Sequence, residues 1–108
     1  MSSLEETRDR VRTEIDRRAG EVIGVARAIL DKPEPGFRER NTAKIVADKF
    51  REWGIPYEEN IAITGLKGIL DSGNPGPTVA VIGELDSHIV PGHPHADPET
   101  NAAHACGH

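Results

Sequence analysis

The stretch "AHACGH", residues 103–108, sets one thiol and two imidazoles within five positions. A thiolate and an imidazole together suit zinc, manganese, cobalt or nickel to different degrees, and the thiolate favours the softer ions. Cys106 and His108 stand two apart, a spacing that shares no helix face but converges from a turn or a short strand. Gly107 between them permits a tight backbone. Such a pair supplies only part of the three or four protein ligands of a metal site, so further donors must come from elsewhere. A structural zinc site is disfavoured because the chain has no second cysteine. The ordinary roles stand beside this one: a lone cysteine is commonly a small buried apolar residue, and histidines in a loop are commonly solvated. A third role, Cys106 as a nucleophile, requires a base, and a histidine two residues away is not a usual way to align one.

Glu84 and Asp86 close the run "TVAVIGELD", residues 78–86. On a strand, side chains two apart point the same way, and ligands of open α/β sheets bind beyond the carboxyl ends of strands. Two acids there can bind a metal or orient a histidine that does; equally, they are ordinary acids where a strand meets solvent. His88, two residues after Asp86, is expected to face the same place. His93 and His95 lie in a proline-stiffened loop, "SHIVPGHPHADPE", and read more simply as solvated.

These residues need elements to hold them. Val11, Ile15, Val22, Ala26 and Ile29 or Leu30 recur at helical spacing, which predicts an amphipathic helix over the first 30 residues, ended by Asp31-Lys32-Pro33. "KPEPG" then makes a turn. Ala43, Val46, Phe50 and Trp53 predict a second helix over 39–53, stopped by Gly54-Ile55-Pro56. The alternation in "YEENIAITGLKGILD" predicts strands near 57–63 and 66–71. "SGNPGP" is a turn, and the apolar start of residues 78–86 predicts a strand buried on both faces. Residues 87–108 show no periodicity and hold all five histidines and the single cysteine. The reading is an α/β chain with helices packed on a mixed β-sheet. Two helices cover such a sheet thinly, which suggests an incomplete fold.

Composition narrows the function classes. A length of 108 residues fits one small domain, and 29% charged residues fit a soluble, cytoplasmic chain. No apolar run approaches the roughly 20 residues of a membrane span, and the charged start "MSSLEETRDRVRTEIDRR" lacks a secretory apolar core. One cysteine forms no internal disulfide. A formal charge of -5 and 4% aromatic residues argue against a nucleic-acid surface.

Four stretches, in order, resemble the start of the aminoacylase-type di-metal peptidase and amidohydrolase family, in its hippurate hydrolase-like branch. They are "DKPEPGFRERNTAKIVADKFREWGI" at 31–55, "GLKGIL" at 65–70, "GPTVAVIGELD" at 76–86 and the closing "AHACGH". The resemblance implies two divalent metal ions per complete chain, manganese or zinc with cobalt or nickel as alternatives. It implies Cys106 and His108 as metal ligands and Asp86 as the acid that supports and orients the site. Glu84 stands where other branches place a histidine ligand and where this branch has an acid; Glu84, His88 and His104 are assigned only to orienting ligands or touching substrate. The implied reaction is hydrolysis of the amide of an N-acyl or N-aroyl amino acid by a metal-activated water with a glutamate base. The implied partners are a small-molecule substrate and a second copy of the chain, with neither nucleic acid nor membrane. Family members are several times longer, which implies that residues 1–108 form the N-terminal portion of a catalytic domain whose remaining ligands, base and dimerisation part lie downstream. The segment after Asp86 departs from the family's apolar continuation, which leaves hydrolytic deamination of an aromatic amine as an alternative. The non-enzymatic alternative is a truncated remnant or a metal-binding interaction module.

Overall fold

The computed structural model describes residues 2–108. Helix α1, Leu4–Leu30, begins with a reciprocal cap. Ser3 Oγ accepts from the Glu6 N–H at 3.1 Å and the Glu6 carboxylate accepts from the Ser3 N–H at 2.8 Å, so two of the helix's free donors are satisfied at once. The helix ends at Asp31, two residues before Pro33. None of its residues is buried, and Val11, Ile15 and Val22 remain largely open to solvent. Ion pairs along its surface, Arg12 with Asp9 and both Arg17 and Arg18 with Glu14, support it locally. Arg17 and then Arg18 hold the Glu14 carboxyl down at about 2. Its C-terminal half meets the second helix through Glu21, whose Oε1 accepts from Trp53 Nε1 at 3.0 Å and lies 3.3 Å from Lys49 Nζ.

Helix α2, Arg40–Glu52, buries Thr42 and Ala47 and carries no side-chain cap from its own N-cap residue, Glu39. The free donors of its first turn go instead to Glu34, in the proline-rich turn that precedes it. Glu34 Oε1 accepts from the Thr42 N–H at 2.6 Å and from Thr42 Oγ1 at 2.8 Å, and Oε2 accepts from the Asn41 N–H at 3.2 Å. A carboxylate is well placed there, because the amides at a helix start carry partial positive charge.

Strands β1, Tyr57–Ile61, and β2, Gly65–Gly68, form an antiparallel hairpin in which Tyr57 pairs with Gly68 and Glu58 with Lys67. The register shifts before Ile61 meets Gly65. The turn therefore falls on residues 62–64, and its first two residues lie in the span expected to be strand. Ala62 and Ile63 take positive φ of 47° and 83°, a strained region for a β-branched side chain. An outside contact holds this turn: Thr64 Oγ1 donates to Glu39 Oε2 at 2.6 Å. The hairpin packs on α2 where β2 has no side chain, since a Cβ at Gly68 would lie 3.0 Å from the Phe50 ring. Phe50 also stacks, tilted, 5.7 Å from Tyr57.

Strands β3, His88–Ile89, and β4, Ala102–Ala103, make a second antiparallel pair with His88 opposite Ala103 and Ile89 opposite Ala102. One parallel bridge joins Pro35 to Ser87. The expected mixture of helix and sheet is present, with the sheets small and both ladders antiparallel. The expected strand over 78–86 is not formed. Residues 78–86 run without a partner, and Val79, Val81 and Ile82 are 82%, 95% and 89% exposed. An apolar strand of this kind needs neighbours on its edges and cover on its faces, and among the described residues nothing supplies them. Among the described residues the buried apolar side chains are small: Ala47, Ala102, Ala103 and Pro33. No helix among the described residues is long and apolar enough to cross a membrane.

The hairpin register has a direct test. A Cβ at Gly65 would sit 2.7 Å from the Ile61 carbonyl oxygen, whereas one at Gly83 meets nothing within 4 Å. Gly65→Ala is expected to cost about 1–3 kcal/mol in urea unfolding and Gly83→Ala to leave the midpoint in place. Equal midpoints for the two variants would contradict the pairing described.

Candidate functional site

The segment 87–108, aperiodic in sequence, is held by its own backbone. Val90 N–H donates to the Asn101 carbonyl at 2.8 Å, Asp97 N–H to that of Ala102 at 2.8 Å, and Asn101 N–H back to that of Asp97 at 2.8 Å. The Asp97 carboxylate accepts from the amides of Glu99 and Thr100, each at 2.9 Å, and from the Thr100 hydroxyl at 3.2 Å. These bonds, led by the Thr100 and Glu99 amides, hold its carboxyl below the usual aspartate value. The loop thus returns the chain from β3 to β4 and delivers residues 104–108 beside residues 84–88.

There, Glu84, Asp86, Ser87, His88 and His104 to His108 line one recess. Glu84 Oε2 lies 3.1 Å from His108 Nδ1, although both side chains are largely exposed. That contact leaves the other ring nitrogen of His108, Nε2, outside it. Cys106 is exposed at the same rim. Gly107 turns the backbone at φ 81°, a conformation glycine adopts without steric cost, between the thiol and the imidazole. Two polar atoms in the wall, Ser87 Oγ and His104 Nε2, are buried with no hydrogen-bond partner among the described residues. Ser87 itself is 5% exposed.

The structure therefore gathers Asp86, Cys106, His108, Glu84, His88 and His104 at one recess, and leaves His93 and His95 outside it. His93 and His95 lie against each other, ring centroids 6.0 Å apart, and His93 Nδ1 accepts from the His95 N–H at 3.1 Å. By donor type the recess fits a divalent transition metal: thiol, imidazole and carboxylate with an unpartnered buried imidazole nitrogen. By placement it does not complete one, since no group of three or more His, Cys, Asp and Glu among the described residues is arranged to hold a metal ion. Sequence reading passed over Ser87 and Glu34, which join at the back of the recess: the Ser87 N–H donates to the Glu34 carbonyl at 2.9 Å. The available signal for Glu34 was an acid shortly before a helix that lacks a cap of its own.

Carboxylates, imidazoles and a thiol gathered at one recess are donors that suit a divalent transition metal. Comparison with known proteins places the chain in a family. The chain is 35% identical to a hippurate hydrolase of Campylobacter jejuni over 82% of its own length and 24% of that protein's. It is 33% identical to thermostable carboxypeptidase 1 of Saccharolobus solfataricus, over 81% of this chain and 23% of the other. An IAA-amino acid hydrolase of Arabidopsis thaliana is 30% identical over 81% of this chain and 20% of its own. No protein-family model matches the chain, and no solved structure matches it. The chain belongs to the aminoacylase-type amidohydrolase and peptidase family, and spans about a fifth to a quarter of the length of these curated relatives.

The brace inside the loop sets a pH dependence. Because the folded state lowers the Asp97 carboxyl below 3.8, its contribution is complete above that value and is lost as pH falls through the lower, folded value. In an acid titration followed by NMR, the Glu99 and Thr100 amide resonances are expected to move with a midpoint below 3.8. A midpoint at or above the ordinary value would contradict the hydrogen bonds to Asp97.

Proposed function

We propose that this chain is the N-terminal portion of the catalytic domain of a metal-dependent amidohydrolase that cleaves the C–N bond of an N-acyl or N-aroyl amino acid. The observation that carries the reading is the likeness to a hippurate hydrolase along 82% of the chain. The names of the other relatives, a carboxypeptidase and an IAA-amino acid hydrolase, fit the same bond class. The recess supports it with the right residue types in one place.

In this reading Cys106 and His108 hold the metal, and Glu84, 3.1 Å from His108 Nδ1, fixes the orientation of that imidazole. Asp86 supports the site from the end of the 84–86 segment, with His88 and His104 in the same recess wall. A divalent ion bound there supplies Lewis acidity toward the amide carbonyl and a water of lowered pKa. The parts that complete the coordination sphere, the general base and the surface joining two copies of the enzyme belong to the longer protein that the reading requires.

The test uses the protein at its full natural length. It is expected to carry about two divalent ions per chain and to release glycine from N-benzoylglycine. Cys106→Ala is expected to lower metal content and turnover together, with metal affinity reduced by at least about tenfold. Normal metal content with full activity in that variant would remove Cys106 from the ligand set. Ammonia released from an aryl amine, with N-benzoylglycine left intact, would assign deamination instead.

A further inference from the structure

We propose that Glu34 is a positioning residue for the recess: it ties the first turn of α2 to the Asp86–His88 segment and so sets where those two side chains stand. The proposal rests on reading the recess as the reaction site, and its argument is geometric. The side chain and the backbone of Glu34 do different jobs. Its carboxylate takes the Asn41 and Thr42 amides, the second and third residues of α2, and the Thr42 hydroxyl as well. Asn41 Nδ2 adds a fourth donor at 3.3 Å. Its carbonyl oxygen takes the Ser87 N–H at 2.9 Å, and the next residue, Pro35, forms the parallel bridge to Ser87.

One residue thus joins a regular helix to a stretch with little regular structure of its own. Residues 78–86 have no strand partner, and β3 is two residues long. Without the link to Glu34, only the short β3–β4 ladder would locate Ser87. The turn that carries Glu34 is stiff, since Pro33 and Pro35 flank it and each fixes its own φ. Pro33 is buried, and Glu39 further steadies the turn by accepting from the Phe37 N–H at 2.9 Å.

The consequence follows from strand geometry. Ser87 sits between Asp86 and His88, and successive side chains along an extended segment alternate in direction. Fixing the Ser87 backbone therefore fixes the directions of Asp86 and His88 together, with the Ser87 hydroxyl set into the recess wall. A simple helix cap would need the carboxylate alone. The carbonyl contact to Ser87 is the part that reaches the site.

Amide hydrogen exchange on the metal-free protein at its full natural length, read by NMR together with the imidazole resonances of His88 and His108, tests this without turnover. A failure here is therefore distinguishable from a failure of the hydrolase assignment. Glu34→Ala is expected to speed exchange of the Ser87 amide about tenfold and to shift the His88 resonance, while amides in the middle of α2 change by less than about threefold. Glu34→Gln, which keeps an oxygen for Thr42, is expected to restore most of the Ser87 protection. An unchanged Ser87 amide in the alanine variant would overturn the proposal. Equal acceleration along α2 and at Ser87 would also overturn it, because that is what a cap alone would give. If the alanine variant does not fold, Thr42→Val takes its place, removing one donor to Oε1 with little change of shape. It is expected to speed Ser87 selectively by about threefold, and no selective change would count against the positioning role.

Discussion

The unpaired amide groups at the start of α2 are satisfied by a carboxylate from outside the helix, and this contact organises the chain beyond α1. Glu34 closes the first turn of α2 and offers its carbonyl to Ser87. Glu39, at the same end of the helix, reaches the hairpin turn through Thr64. Glu34 and Glu39, five residues apart, thus connect the helix, the hairpin and the segment around Ser87 at the recess. Apolar burial contributes little to that connection, since the buried apolar residues among those described are three alanines and Pro33. The Glu39 and Thr42 side chains are buried and fully engaged, as buried polar groups must be if they are not to cost stability.

Both helices were legible in the sequence because their apolar residues repeat at helical spacing and their ends carry proline or glycine. The bounds of α1 and α2 fall within a few residues of those expected. The hairpin was legible as two strands, but its turn was not. Ala62, Ile63 and Thr64 are not turn formers, and the backbone bends there because a side chain 25 residues earlier in the chain holds Thr64. Residues 78–86 read as a buried strand because composition reports what a segment is suited to. Whether it becomes one depends on neighbours, and the described residues provide none.

At the site the pattern is similar. The likeness of "AHACGH" and of the acid pair to a hydrolase family pointed to residues that the fold does bring to one recess. That the thiol, the imidazoles and the acids meet depends on the 87–103 loop closing on itself, and the closure depends on Asp97 gathering three donors. Nothing in hydrophobic periodicity reports such a brace. The role of Ser87 was hidden for the same reason, since its backbone amide, not its side chain, makes the connection to Glu34.

The open apolar run at residues 78–83 has a consequence for how the chain behaves in concentrated solution. "TVAVIG" combines β-branched residues with no charge, and its backbone groups have no ladder to join. Those are the features of segments that stack into cross-β fibrils. Pro75 and Pro77 precede the run and Glu84 follows it, and residues of these types at the flanks interrupt such stacking. Colloidal stability of the 108-residue chain is therefore a contest between one short sticky segment and its flanking gatekeepers. Chaperone recognition would be directed to the same few residues, which lead straight into Glu84 at the recess.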